Sequence, residues 1–155
     1  MSEFKLDSKE PIKIGFFLIE NFTMLALASA LEPLRMANQL SGEELYSWTL
    51  IGSTTDLVTA SDGIQISPDK TIADVTNYDL VFVVSGINVM ESHQPQEIRW
   101  LRTLVGRVRV LGGLCTGSYL LAKAGLLDGY SCSAHWECLA ALQEEYPLVY
   151  CNNHL

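Results

Sequence analysis

No Cys-x-x-Cys pair, no apolar run of eighteen residues and no excess of basic charge occurs in this 155-residue chain. Each absence excludes something. The four cysteines, Cys115, Cys132, Cys138 and Cys151, lack the close spacing of a zinc ribbon, and a chain of this length needs no disulfide framework to fold. No metal site and no cofactor is expected. The lack of a long apolar run, together with the polar opening Met1–Lys9, argues against a membrane span and a secretory leader, so the expectation is a soluble, cytoplasmic protein. With a formal net charge of -8, the chain lacks the electrostatic footprint that DNA phosphates demand.

What is present is a chain 48% hydrophobic, enough for one core spanning residues 1–155. Short β-rich runs alternate with longer helical ones, the pattern of a mostly parallel sheet. Strands are predicted at Ile12–Ile19, Tyr46–Ile51, Leu80–Ser85 and Val108–Leu111, with weaker ones at Tyr130–Ser133 and Val149–Cys151. IKIGFFLI and LVFVVS are nearly solid apolar, as befits strands covered on both faces. Apolar residues at helical spacing predict helices over Thr23–Gln39 and Pro95–Val105, each packing one face on the sheet. Pro33 inside the first predicts a kink or a late start. Leu57–Ser67, around the turn Ser61-Asp62-Gly63, reads as a hairpin at the sheet edge.

The sharpest signal is a strand ending in Gly113-Leu-Cys115-Thr116-Gly117 and running straight into an apolar helix, a nucleophile-elbow pattern with cysteine in the serine position. Its glycines let the chain turn so that the sulfur projects above the sheet at a helix N-terminus, where the dipole favours thiolate. The N–H of Thr116 and its neighbours can then receive an oxyanion or a carboxylate. The plainer alternative is a tight turn in which Cys115 is merely a small residue that fits. His135, in Ser133-Ala-His-Trp136-Glu, follows the cysteine by 20 residues at the end of the next strand and is a candidate base. A structural, hydrogen-bonded histidine remains the alternative.

The elbow LGGLCTGSYLLAKAGLLDG followed by SAHWE resembles the ThiJ/PfpI, or class I glutamine amidotransferase-like, superfamily. With ENFTMLALASALEPLRMANQL upstream, the series is similar to the GlxA-like branch of AraC-family regulators, a likeness running from about Ile12 to Tyr146. The resemblance implies a flavodoxin-like α/β three-layer sandwich lacking its last strand and helix in this chain. It also implies homodimers, and a C-terminal helix-turn-helix DNA-binding domain that is not in this sequence and would carry all contact with DNA. Ligand contacts are expected at Phe22, Gly86, Cys115, Thr116, Gly117, His135 and Trp136, with Phe22, Trp48 and Trp136 as aromatic faces.

One departure bears on chemistry. Catalytic relatives hold an acidic residue of the first helix against the elbow cysteine, and the matching position here is Ala26. The expectation is therefore a non-enzymatic effector-sensing domain, with Cys115 and His135 as vestigial catalytic residues. The branch implies an amino-acid-derived or quaternary-amine carboxylate as effector, as in regulators of arginine, carnitine or glycine betaine catabolism. A cysteine-dependent hydrolase or glyoxalase-like enzyme, and a structural domain with an unused site, are the competing readings.

Overall fold

The computed structural model describes residues 10–74 and 77–152, so the polar stretch Met1–Lys9 lies outside the described residues. Strand β1 (Ile12–Leu18) is followed by helix α1 (Met24–Ser41), β2 (Tyr46–Gly52), the short β3 (Val58–Thr59) and β4 (Gln65–Ile66), then β5 (Lys70–Thr71) and β6 (Leu80–Val84). The second half adds α2 (Pro95–Thr103), β7 (Val110–Leu114), α3 (Gly117–Lys123), β8 (Ser131–Ser133), α4 (Trp136–Glu145) and β9 (Tyr150–Asn152).

Five strands pair in parallel in the order β5-β2-β1-β6-β7. β1 lies at the centre, and its residues alternate between two cores because successive side chains leave opposite faces of a strand. Phe17 packs with Val81, Val83 and residues of α2, α3 and α4. Phe16 and Leu18 pack with Val84 and with Leu27 of α1. The result is the expected three-layer, flavodoxin-like α/β arrangement, with three helices on one face and α1 on the other. The α1 face is thinly covered, and a groove of about 450 Å³ lined by Ile14, Phe16, Ala30, Leu34, Phe82 and Leu114 stays open there.

Several expectations need correction. α1 starts at Met24 and runs through Pro33 to Ser41, so there is no late start. Pro33 lies on the exposed side, and the far end of the helix is fixed independently. Gly42 closes it in a left-handed conformation (φ 72°), while the Asn38 side chain accepts from the N–H groups of Leu45 and Tyr46 and donates to the Tyr46 carbonyl. α2 stops at Thr103, leaving Val105 63% exposed.

β7 begins at Val110 and extends through Gly112 and Gly113 to Leu114, three residues further than the apolar run suggested. Glycine weakens the strand signal in sequence, but here it makes room: a Cβ on Gly112 would sit 2.9 Å from the Phe82 ring. The hairpin is present as β3 paired with β4, yet it forms its own two-stranded sheet, and the edge of the main sheet is β5. β8 and β9 likewise pair in parallel with each other, apart from the main sheet. Among the described residues no helix is long and apolar enough to cross a membrane.

Candidate functional site

In a parallel sheet, the loops that leave the carboxyl ends of neighbouring strands come together. Here the adjacent strands β1, β6 and β7 deliver three segments to one place: Asn21–Thr23, Ser85–Gly86 and Cys115–Gly117. Glycines set how closely they approach. A Cβ on Gly86 would lie 2.2 Å from the Asn21 carbonyl oxygen, and one on Gly117 would lie 2.3 Å from the Val83 carbonyl oxygen. Either would have to displace backbone. Gly113 meets the same limit, with Ser118 N at 2.5 Å.

Cys115 occupies the turn with φ 56°, the left-handed region that side chains other than glycine rarely adopt. The elbow read from Gly113-Leu-Cys115-Thr-Gly117 is therefore formed, strained backbone included. Its thiol faces the hydroxyl of Thr23 at 3.5 Å. Thr116 is fully buried, and its hydroxyl donates to the Gly86 carbonyl at 2.7 Å, tying the elbow to the loop after β6. Gly117 and Ser118 open α3, where the first N–H groups have no partner inside the helix. Ser85, fully buried beside them, has a hydroxyl without a hydrogen-bond partner among the described residues.

The other expected residues are placed unevenly. His135 caps α4, its Nδ1 accepting from the Glu137 N–H at 3.3 Å. Among the described residues no hydrogen bond joins it to Cys115. Cys138 holds the main chain of His135, its sulfur donating to the His135 carbonyl at 3.4 Å, and burial pushes its thiol up, with a smaller contribution from Cys115. α4 itself is docked on α3 through Tyr119, whose hydroxyl donates to Glu145 at 2.9 Å; burial raises that phenol further above its ordinary value.

Trp136 projects outward, 75% exposed, with its ring 5.4 Å from the imidazole of His135. Phe22, by contrast, is completely buried. It contributes main chain instead of an open aromatic face, bridging to both Ala60 and Gly86. Trp48 packs half-buried on the α1-side core. Ala26 stands in the first turn of α1, which contains no acidic residue.

Sequence reasoning missed Thr23, although its position just before a helix and just after the central strand was a usable signal. It also missed an acidic cavity of about 280 Å³ at the carboxyl ends of β1 and β2, bordered by Glu20, Ser53, Asp56, Ser92 and Glu97. Asn21 donates to Ser92 at 3.0 Å, so this cavity abuts the loop that presents Thr23. Glu97 is only 5% exposed; it accepts from the Ser53 hydroxyl and from the Gln94 N–H, and burial pushes its carboxyl up despite both bonds.

A parallel three-layer domain with a strained cysteine elbow at the carboxyl end of its sheet defines the class. The DJ-1/PfpI family matches residues 13–150, and the chain belongs to that family. It is 50% identical over 142 residues to the HTH-type transcriptional regulator GbdR of Pseudomonas aeruginosa, covering 92% of this chain and 39% of that protein. It is 30% identical over 128 residues to an isonitrile hydratase of Pseudomonas putida, covering 81% of this chain and 53% of the enzyme. A solved AraC family transcriptional regulator from Pseudomonas putida superposes with a TM-score of 0.80 at 28% identity, covering 93% of this chain and 77% of that one. The chain thus spans about two-fifths of the regulator it resembles in sequence.

Proposed function

We propose that this chain is the effector-sensing domain of an AraC-family transcriptional regulator, working as a homodimer, with DNA contacted only by a helix-turn-helix domain outside this sequence. The likeness to an HTH-type regulator along nearly the whole chain carries the reading. The effector is a small amino-acid-derived or quaternary-amine carboxylate. Its anionic end is received by the opening N–H groups of α3, at Cys115, Thr116 and Gly117, with Gly86 and the Phe22 main chain fixing the floor and His135 and Trp136 alongside. An exposed indole can cover a methylated ammonium, and the acidic cavity beside Asn21 suits a cationic group. The elbow binds without turning over, because Ala26 puts no carboxylate where catalytic relatives hold one and the thiol meets only the neutral hydroxyl of Thr23.

Thermal-shift measurements with betaine-, carnitine- and arginine-type carboxylates test this. A ligand at 100 times its dissociation constant adds about 2.7 kcal/mol to the unfolding free energy, a rise of several degrees. Trp136→Ala is expected to abolish the shift and Cys115→Ser to keep most of it. A complete set of such compounds giving no shift, on a chain extended past Leu155, overturns the proposal. The intact elbow and the isonitrile hydratase likeness favour one second reading, a cysteine-dependent enzyme. Substrate consumption that disappears in Cys115→Ala would replace the sensor with that enzyme.

A further inference from the structure

We infer that Cys132 and Cys151 are a reversible thiol–disulfide pair that exchanges with low-molecular-weight disulfides, a modification site separate from the cysteine elbow. The two are direct register partners in the parallel β8–β9 ladder. Neighbouring strands lie about 4.8 Å apart, inside the Cα separation of about 4.4–6.8 Å that a disulfide spans. Register partners share a face of their ladder, and both residues pack against the same α2–α3–α4 core. Both are free and half-buried, so a small reagent can reach them. Their thiols already interact: burial pushes Cys132 up to about 11, and the charge and hydrogen bond of Cys151 act in the same direction.

The other two cysteines are worse partners. Cys138 also lies close enough to influence Cys132, but it is fully buried and its sulfur is engaged with the His135 carbonyl. Cys115 sits in the elbow against Thr23. Two register-paired cysteines can also serve as small apolar filler, and such a pair would stay reduced.

The exchange balances in two steps. One protein thiol loses its proton, and its thiolate attacks the small disulfide, forming a mixed disulfide and expelling one small thiolate. The second protein thiol then loses its proton and attacks the protein sulfur of the mixed disulfide, forming the Cys132–Cys151 bond and expelling the other small thiolate. The two released protons end on the two small thiols, so two protein thiols are oxidised and one small disulfide is reduced. The direction is favoured because strongly oxidising disulfides owe their potential to a stabilised thiolate in the reduced form, and a raised Cys132 has none. A thiol of lower pKa also leaves faster, so the small thiol is expelled in preference to Cys132. The bond closes a loop containing all of α4 with its cap His135, pinning the unit that presents Trp136.

The test equilibrates the 155-residue chain in oxidised and reduced glutathione at a temperature well below melting, then traps free thiols with iodoacetamide. Cleavage after Arg109, Lys123, Glu137 and Glu145 places the four cysteines on four separate peptides. The expected result is a linked Cys132–Cys151 peptide pair, loss of two of the four free thiols, and a melting temperature several degrees higher, all reversed by dithiothreitol. Cys151→Ser is expected to keep the reduced protein's melting temperature and lose the oxidative gain. Linkage of Cys132 to Cys138, glutathione adducts that never resolve into a cross-link, or four thiols retained in fully oxidised glutathione would each overturn the inference. The wild-type peptide map decides this even if a variant fails to fold.

Discussion

The hydroxyl of Thr23 stands 3.5 Å from the thiol of Cys115, although 92 positions separate them in the chain. Thr23 is the N-cap of α1, and its side chain makes no capping bond to the helix. The helix start thus forgoes a bond worth about 1 kcal/mol, and the hydroxyl faces the elbow instead. A carboxylate in its place would disfavour the thiolate by like-charge repulsion. Thr23→Asp is expected to slow alkylation of Cys115 severalfold near neutral pH, read as a second-order rate with iodoacetamide. An unchanged rate would contradict the contact.

The cysteines should also differ in order of reaction. Burial pushes up both Cys132, to about 11, and Cys138, and the thiolate is the nucleophile. With limiting reagent near neutral pH, Cys115 is expected to be labelled before either, and the fully buried Cys138 last. Labelling of Cys132 should keep accelerating as pH rises toward 11. Equal labelling of all three at neutral pH would count against the formed elbow.

Substitution at the glycine contacts should be costly without touching any thiol. Gly117→Ala drives a methyl to 2.3 Å from the Val83 carbonyl, where only backbone can give way. Overpacking of this kind typically costs about 1–3 kcal/mol, and a value at or above the upper end is expected in urea unfolding. Gly125→Ala, with φ 75° and open space around it, is strained by conformation alone and should cost about 1 kcal/mol.

Glu97 gives the fold a pH dependence whose sign is fixed. Its folded value is raised above the ordinary 4.5 by burial, so between the unfolded and folded values the native state holds more protons than the unfolded chain. Its contribution is therefore fully present below about 4.5 and is lost as pH rises through the folded value. Glu97→Gln keeps an acceptor for the Gln94 N–H and a donor for the Ser53 hydroxyl. It is expected to match or exceed wild type at neutral pH and to flatten that part of the stability profile, whereas Glu97→Ala should lose about 1–2 kcal/mol. Chemical unfolding across the acid range separates the two.

How much could be read from residues alone varied with how much each residue's role is local. β1 and β6 were legible because IKIGFFL and LVFVV are apolar on both faces, a property of the segment itself. β7 was displaced because Gly112 is set by the Phe82 ring across the sheet and Gly113 by the backbone of Gly117 and Ser118 at the start of α3. α4 carried only a weak stripe in ECLAAL and went unassigned. At the site, the elbow was legible from glycine spacing, while Thr23 depends on two loops meeting. Phe22 and Trp136 carry the same expectation of an open aromatic face, yet Phe22 is sealed in and Trp136 is left outside: aromatic character is visible in sequence, but where a ring ends up is decided by tertiary packing.

The cap that His135 provides has a consequence for protons. A neutral imidazole has one N–H and one lone pair, and the lone pair on Nδ1 is committed to the Glu137 N–H. The hydrogen therefore sits on Nε2, and the ring in this tautomer offers its free edge as a hydrogen-bond donor, the role an anion needs and the opposite of the one a thiol needs.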